Sequence, residues 1–147
     1  MFAAPLFAFR LDTGIWLQAG GALVAFCLIS STIYLLNDSL DVNADRAHPI
    51  KRNRPIAAGL VSVASALTTA ALVAVVSLSM AAAVSVPLAG LVLAYVLIQV
   101  GYCIQFKRVI LLDLFSISSG FLLRAVAGGV AADLPLSPWF LLTVGLL

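Results

Sequence analysis

Three aspartates in one polar segment are the residues of this sequence best suited to chemistry. Asp38, Asp41 and Asp45 follow Asn37 in the pattern N-D-x-x-D-x-x-x-D. On a helix, this spacing places the three carboxylates on one face. Because clustered carboxylates repel one another at the edge of a low-dielectric region, a cation is expected among them. Mg²⁺ is the natural candidate, since it prefers oxygen ligands and is usually held by carboxylates together with substrate phosphates.

The same segment carries positive charge suited to phosphate oxygens. Arg46, Lys51, Arg52 and Arg54 follow the aspartates directly. Carboxylates for a metal and cations for phosphate together predict one magnesium and diphosphate site. The alternative is that the aspartates only solvate a loop and cap the next helix. The adjacent cations favour phosphate chemistry.

The composition excludes an ordinary soluble domain. Hydrophobic residues make up 63% of the chain and charged residues 10%, against about 45–50% and about 25% in soluble domains. The net charge of +2, with bases interleaved among acids, does not indicate a nucleic-acid partner. Cys27 and Cys103 lie in apolar runs and are predicted to pack as small hydrophobic residues. The N-terminus lacks the residue order of a secretory signal peptide.

Four apolar stretches are long enough to cross a membrane, which takes about 20 residues. They are residues 15–36, 60–83, 87–106 and 109–131, and the third begins at a proline, which favours a helix start. The fold class predicted is an all-α polytopic membrane bundle surrounded by membrane lipids. Residues 1–9 and 137–147 would extend only about 14–16 Å as helices, so we expect partial helices at both ends. The chain is then a single partial domain over residues 1–147, either a fragment or one piece of a split protein.

The placement of basic residues predicts the orientation. Residues 46–54 and 107–108 hold most of the Lys and Arg residues, and the predicted spans bring both loops to the same side of the membrane. By the positive-inside rule this side is cytoplasmic. The chain is therefore expected to be a multi-pass protein of the plasma (inner) membrane with its aspartate-rich loop in the cytoplasm.

The fourth span contains two ionisable residues, Asp113 and Arg124, which are functional candidates because charges inside membrane helices are rare. They are close to three helical turns apart, so Asp113, Ser116, Gly120 and Arg124 form one polar stripe. The alternative is helix packing alone, since small and hydroxyl residues also stabilise helix contacts in lipid. Arg124 lies about 25 Å along the chain from Lys107 if the segment is helical, so the two should not face the same phosphate.

Residues 37–59 resemble the first aspartate-rich motif of the UbiA prenyltransferase superfamily. There N-D-x-x-D-x-x-x-D is followed by K-x-x-R-P-I-A-A-G. The His48-Pro49 pair, Lys51 and the Arg54-Pro55 continuation are most similar to the decaprenyl-phosphate phosphoribosyltransferase branch, which acts in actinobacterial cell wall biosynthesis. Residues 102–108, 120–129 and 137–140 resemble the same branch.

The resemblance implies a UbiA-like transmembrane domain with Mg²⁺-dependent transferase activity. The reaction implied is transfer of a 5-phosphoribosyl group from phosphoribosyl diphosphate to a polyprenyl phosphate. Asp38, Asp41 and Asp45 would be the catalytic metal ligands. The substrate-binding residues implied are Asn37, Lys51, Arg52, Arg54, Tyr102, Lys107, Asp113 and Arg124.

The chain departs from the family in having only four complete spans. Most of the first helix and the later helices, with their second polar loop, are missing from the pattern, so we expect activity to need a complementing polypeptide, or the chain to be an inactive remnant. Two other functions stay open. One is an ordinary UbiA prenyltransferase that moves a prenyl group from its diphosphate to an aromatic acceptor, and the other is a non-catalytic membrane component or transporter fragment that binds a phosphorylated solute. Lys51, Asp113 and Arg124 favour the phosphoribosyl reaction.

Overall fold

The computed structural model describes residues 2, 5–6, 9 and 12–146, with the backbone alone at Arg108. From residue 12 onward the chain is helical, and no strand occurs in the described ranges. Two short 3₁₀ turns, Lys51–Asn53 and Phe106–Arg108, precede the second and fourth long helices. The α-helices in chain order are α1 (Thr13–Leu40), α2 (Val42–Ala47), α3 (Val63–Val84), α4 (Val86–Ile104), α5 (Ile110–Ala131) and α6 (Pro138–Leu146).

The predicted all-α membrane fold is confirmed, because α1, α3, α4 and α5 are each long and apolar enough to span a membrane. The chain is a multi-pass membrane protein. The predicted break between the second and third spans falls at Ser85, whose hydroxyl accepts a hydrogen bond from the N–H of Leu88 at 3.2 Å and so caps α4. The partial helix expected at residues 1–9 lies mostly outside the described residues. At the other end, α6 covers most of the predicted 137–147 run.

Small residues let α1 and α3 pack closely. Ser77 Oγ donates to the carbonyl of Ala25 at 2.7 Å, and Thr32 Oγ1 donates to the carbonyl of Ala70 at 3.3 Å. A Cβ at Gly21 would lie 2.9 Å from a γ-methyl of Val84, so the Val84 side chain occupies the space that a larger residue would need. Close backbone approach and interhelical hydrogen bonds are the usual basis of helix association in lipid. α3 therefore supports α1 along its length.

Helices α1, α4 and α5 meet on the other side of α1. Phe26 of α1 contacts the ring of Tyr95 of α4 edge-on, with centroids 5.5 Å apart. Around this contact the core is formed by buried aliphatic residues of all three helices. Large apolar side chains cover the outer faces, as expected for surfaces in contact with lipid acyl chains. The three helices thus enclose the region where the polar residues of the spans lie.

Candidate functional site

The three aspartates lie where α1 ends. Asp38 is in the last turn of α1, Asp41 is the junction residue, and Asp45 lies in α2. The helical hydrogen-bond pattern continues across the junction, since the N–H of Asp41 donates to the carbonyl of Asn37 at 2.9 Å and the N–H of Asp45 donates to that of Asp41 at 2.8 Å. The three aspartates therefore follow one another along a nearly continuous helical segment. We call these three residues the aspartate cluster.

Arg54 joins two members of the aspartate cluster. Its Nη1 donates to Asp38 Oδ1 at 2.8 Å and to Asp45 Oδ2 at 2.9 Å. The side chain of Asp45 is only 5% exposed, so this ion pair compensates a nearly buried carboxylate. The sequence predicted Arg54 as a cation facing phosphate, and that role stays a prediction; the structure shows that Arg54 lies between two of the aspartates.

Lys107 pairs with the third aspartate. Its Nζ donates to the two carboxylate oxygens of Asp41 at 2.6 and 2.7 Å and to Asn37 Oδ1 at 3.4 Å. This contact ties the end of α1 to the 3₁₀ turn before α5. The repulsion that predicted a metal among the carboxylates is thus relieved by two cations of the protein itself.

The loop after α2 holds Arg54 in place and leaves two other cations exposed. Arg46 Nε donates to the carbonyl of Ala57 at 3.1 Å, which fastens the returning loop to α2. His48 Nδ1 accepts from the N–H groups of Ile50 and Lys51 at 3.2 and 3.3 Å and closes the turn that follows. Lys51 and Arg52 lie on this turn with exposed side chains, and no carboxylate in the described ranges forms an ion pair with either. Both are available to an anion.

A cavity of about 350 Å³ lies between α1, α4 and α5, and we call it the central cavity. Three of the predicted site residues line it: Asn37, Tyr102 and Arg124. Asp113 lies beside Tyr102, and its Oδ1 is buried without a hydrogen-bond partner among the residues that are described. The cavity extends from Asn37, next to the aspartate cluster, into the membrane-spanning part of the bundle.

Arg124 lies at the other end of the central cavity. Its Nη2 donates to Ser30 Oγ at 3.0 Å and to the hydroxyl of Tyr95 at 2.9 Å. The guanidinium also lies over the rings of Tyr95 and Phe121, at 5.3 and 5.9 Å from their centroids. Within the described part of the chain, no carboxylate pairs with it. As the helical rise predicted, Arg124 and Lys107 contact different groups.

Two residues on the face of α4 that opposes α5, Tyr95 and Gln99, were not predicted from the sequence. Tyr95, Gln99 and Tyr102 have the spacing i, i+4, i+7, which places them on one helical face. This spacing is visible in the sequence and could have predicted a polar face on α4. Gln99 Nε2 donates to the carbonyl of Ser116 at 3.5 Å, and a Cβ at Gly120 would lie 3.1 Å from the same nitrogen. Within the predicted stripe on α5, Ser116 and Gly120 contact Gln99 of α4, and Gly120 and Arg124 line the cavity.

A second cavity, of about 470 Å³, lies on the far side of Ser30 and Arg124 and is mostly apolar. We call it the apolar cavity. Leu23, Phe26 and Cys27 contribute to its lining. Cys27 is exposed and Cys103 is buried, and both are free thiols. The two cavities share three lining residues and are therefore adjacent.

Comparison with known proteins identifies the family of this chain. The model of the UbiA prenyltransferase family matches residues 1–147. The chain belongs to the UbiA prenyltransferase family. Among curated relatives of this UbiA chain is the decaprenyl-phosphate phosphoribosyltransferase of Mycolicibacterium smegmatis, which is 53% identical over 123 residues, covering 84% of this chain and 39% of the relative.

Two further relatives carry the same name. The enzyme of Corynebacterium glutamicum is 51% identical over 123 residues, which cover 82% of this chain and 37% of the relative. That of Mycobacterium tuberculosis is 46% identical over 121 residues, covering 82% of this chain and 40% of the relative. The UbiA chain thus spans about two fifths of the length of these relatives.

UbiA prenyltransferases generally depend on a divalent metal ion, and the aspartate cluster has the donor chemistry for one. Its carboxylate oxygens are the ligands that hard divalent cations prefer. Within the described residues, no three acidic, His or Cys side chains come close enough to hold a metal unaided. One or two carboxylates plus substrate phosphates are the usual arrangement for Mg²⁺. The residues therefore fit a metal that is bound jointly with a diphosphate.

Proposed function

We propose that this chain forms part of a transferase that moves a 5-phosphoribosyl group from phosphoribosyl diphosphate to a polyprenyl phosphate such as decaprenyl phosphate. One observation carries the proposal. Three carboxylates and two paired cations lie at one end of a cavity that three membrane helices enclose. A water-soluble diphosphate and a membrane lipid can meet at such a place. The names of the relatives supply the reaction class.

The aspartate cluster would hold the donor's diphosphate through Mg²⁺. The ion would supply charge neutralisation on the leaving diphosphate, as metals do in phosphate chemistry. Arg54 and Lys107 are close enough to the same carboxylates to contact diphosphate oxygens as well. Lys51 and Arg52, on the exposed turn, add two further cations. Charge-assisted hydrogen bonds from such groups would stabilise the anion as the bond to the anomeric carbon breaks.

The acceptor lipid would approach from the membrane. The apolar cavity is of a chemistry that accommodates a polyprenyl chain, and it adjoins the central cavity at Ser30. The acceptor's phosphate would then attack near Asn37 and Tyr102, where the central cavity approaches the aspartate cluster. By the positive-inside rule, the Lys and Arg residues near this end support a position on the cytoplasmic side of the plasma membrane. The part of the relatives' length that these residues do not cover would complete the site, whether on the same polypeptide or on another.

The proposal is tested by incorporation of labelled phosphoribosyl diphosphate into organic-extractable lipid. Membranes containing the chain alone, or together with a polypeptide supplying the remaining length of a relative, are assayed with and without Mg²⁺. Asp41→Asn is expected to lower the rate by about 100-fold, as for loss of a group that stabilises transition-state charge. Asp133→Asn is the control, because Asp133 is exposed in the turn that follows α5 and its positive φ of 50° suits asparagine.

Two results would refute the proposal. One is the absence of labelled lipid in either arrangement although the chain is inserted in the membrane. The other is transfer of a labelled prenyl group from prenyl diphosphate to an aromatic acceptor without any phosphoribosyl transfer, which would identify an ordinary UbiA prenyltransferase. Equal activity of Asp41→Asn and Asp133→Asn would remove the aspartate cluster from the mechanism.

A further inference from the structure

Arg124 is a charged residue inside a membrane helix whose contacts in the structure are neutral. Both of its hydroxyl contacts, to Ser30 and Tyr95, come from Nη2. A guanidinium carries five N–H donors, so these contacts use a small part of its capacity. Intramembrane arginines are costly and usually mark substrate or ion paths. An anion in the central cavity, which Arg124 lines, would supply the missing charge partner.

The central cavity is lined by Arg124 at one end and by Asn37, which contacts Lys107, at the other. Ser30 and Asn37 lie on one face of α1, and seven residues of helix separate them by about 10 Å. Asn37 contacts Lys107 at the aspartate cluster, while Ser30 contacts Arg124. Both α1 residues line the same cavity. A ligand in this cavity therefore meets Arg124 directly and lies beside Asn37, which contacts Lys107, and the two α1 residues that contact these cations are about 10 Å apart along the helix.

Two classes of diphosphate donor differ in how they match this arrangement. A prenyl diphosphate has one anionic end and an apolar tail, so it would leave Arg124 facing hydrocarbon without a charge partner. Phosphoribosyl diphosphate has a diphosphate on C1 and a phosphate on C5, with a polar sugar between them. Gln99 and Tyr102 also line the cavity, and their side chains carry polar groups of the kind that suits sugar hydroxyls.

We propose that Arg124, together with the hydroxyls of Ser30 and Tyr95, binds the 5-phosphate of the donor while the aspartate cluster and its cations bind the diphosphate. Arg124 is then a specificity-determining residue that selects a donor with two anionic ends. This inference rests on the proposed function and deepens it. It also explains why the two cations are so far apart along the chain: they bind different phosphates of one molecule.

The test compares two probes in wild type and variants. Equilibrium binding of phosphoribosyl diphosphate and of inorganic diphosphate is measured in Mg²⁺ on the full chain in detergent micelles. Arg124→Gln is expected to weaken binding of phosphoribosyl diphosphate by about 10- to 100-fold, the effect of losing a hydrogen bond to a charged group. Inorganic diphosphate lacks the 5-phosphate and would bind at the aspartate cluster, away from Arg124. Its binding should therefore change by less than about twofold in Arg124→Gln, because distant sites contribute independently. Arg124→Lys, which keeps the charge, should restore part of the affinity.

The two probes separate a binding role from a structural one. Equal weakening of both probes in Arg124→Gln would show that Arg124 only holds the helices together and would overturn the inference. Retention of the wild-type preference for phosphoribosyl diphosphate in Arg124→Gln would also overturn it, while leaving the donor assignment intact. If wild type itself bound geranyl diphosphate more tightly than phosphoribosyl diphosphate, the proposed function would fail, and the inference with it.

Discussion

The ion pair between Lys107 and Asp41 gives a prediction that the structure makes quantitative. It joins residues 66 positions apart and ties the end of α1 to the start of α5. The two side chains are 22% and 31% exposed, so the pair lies between an exposed pair worth about 0–1 kcal/mol and a buried one whose disruption costs about 3–5 kcal/mol. We expect Lys107→Gln to lower the free energy of unfolding by about 2 kcal/mol, because it leaves a half-buried carboxylate without its partner.

A double-mutant cycle isolates the pair. Asp41→Asn is expected to cost about 1 kcal/mol, since the flexible lysine can move to water. The double variant should be less destabilised than the sum of the single variants by about 1.5 kcal/mol. In thermal unfolding of the purified chain in micelles, Lys107→Gln should lower Tm by about 6 °C. Lys51→Gln, on the exposed turn, is the matched control and should stay within about 0.5 kcal/mol of wild type. Additive single effects would refute the assignment of this ion pair as a tie between helices.

Two further predictions use the same unfolding assay. Arg54→Gln should cost about 2–3 kcal/mol because Asp45, whose side chain is 5% exposed, loses its charge partner; Arg52→Gln is the control, and equal Tm values for the two would contradict this reasoning. Gly59→Ala should cost about 1 kcal/mol, since Gly59 has a φ of +79° that a residue with a Cβ adopts only with strain. Gly90→Ala, where a Cβ would meet no atom within 4 Å, should be neutral or stabilising, and a loss equal to that of Gly59→Ala would count against the turn argument.

Much of the fold could be predicted from the sequence because its signals are local. A span is defined by the length of an apolar run, and the break at Ser85 by a capping residue followed by Pro87. The ends of the helices were predicted less accurately. α1 continues to Leu40, four residues beyond the predicted end, because Asn37 and Asp38 remain within the helical hydrogen-bond pattern. Polarity at the end of a span therefore does not mean that the helix ends.

The pairing of the site residues could not be predicted, because it depends on which helices are neighbours. Arg124 finds Ser30 and Tyr95 across 94 and 29 positions of sequence. No periodicity within α5 contains that information. The sequence did place Arg54 and the aspartates in one segment, but it did not show that Arg54 pairs with Asp38 and Asp45. The catalytic and binding roles of these residues stay predictions.

The helix that supports α1 differs in its polar residues from the helices that surround the central cavity. α3 has Ser77 as a buried hydrogen-bond donor to α1, and it carries no charged residue. The ionisable residues of the spans lie instead on α1, α4 and α5, around the central cavity and beside it. Because an unpaired charge in the membrane is costly, such residues persist where they meet a partner or a ligand. We therefore predict that Arg124 meets an anionic ligand in the central cavity, whereas Lys107 already has Asp41 as its charge partner. Helix packing by itself does not require such a charge, since α3 packs against α1 without a charged side chain of its own.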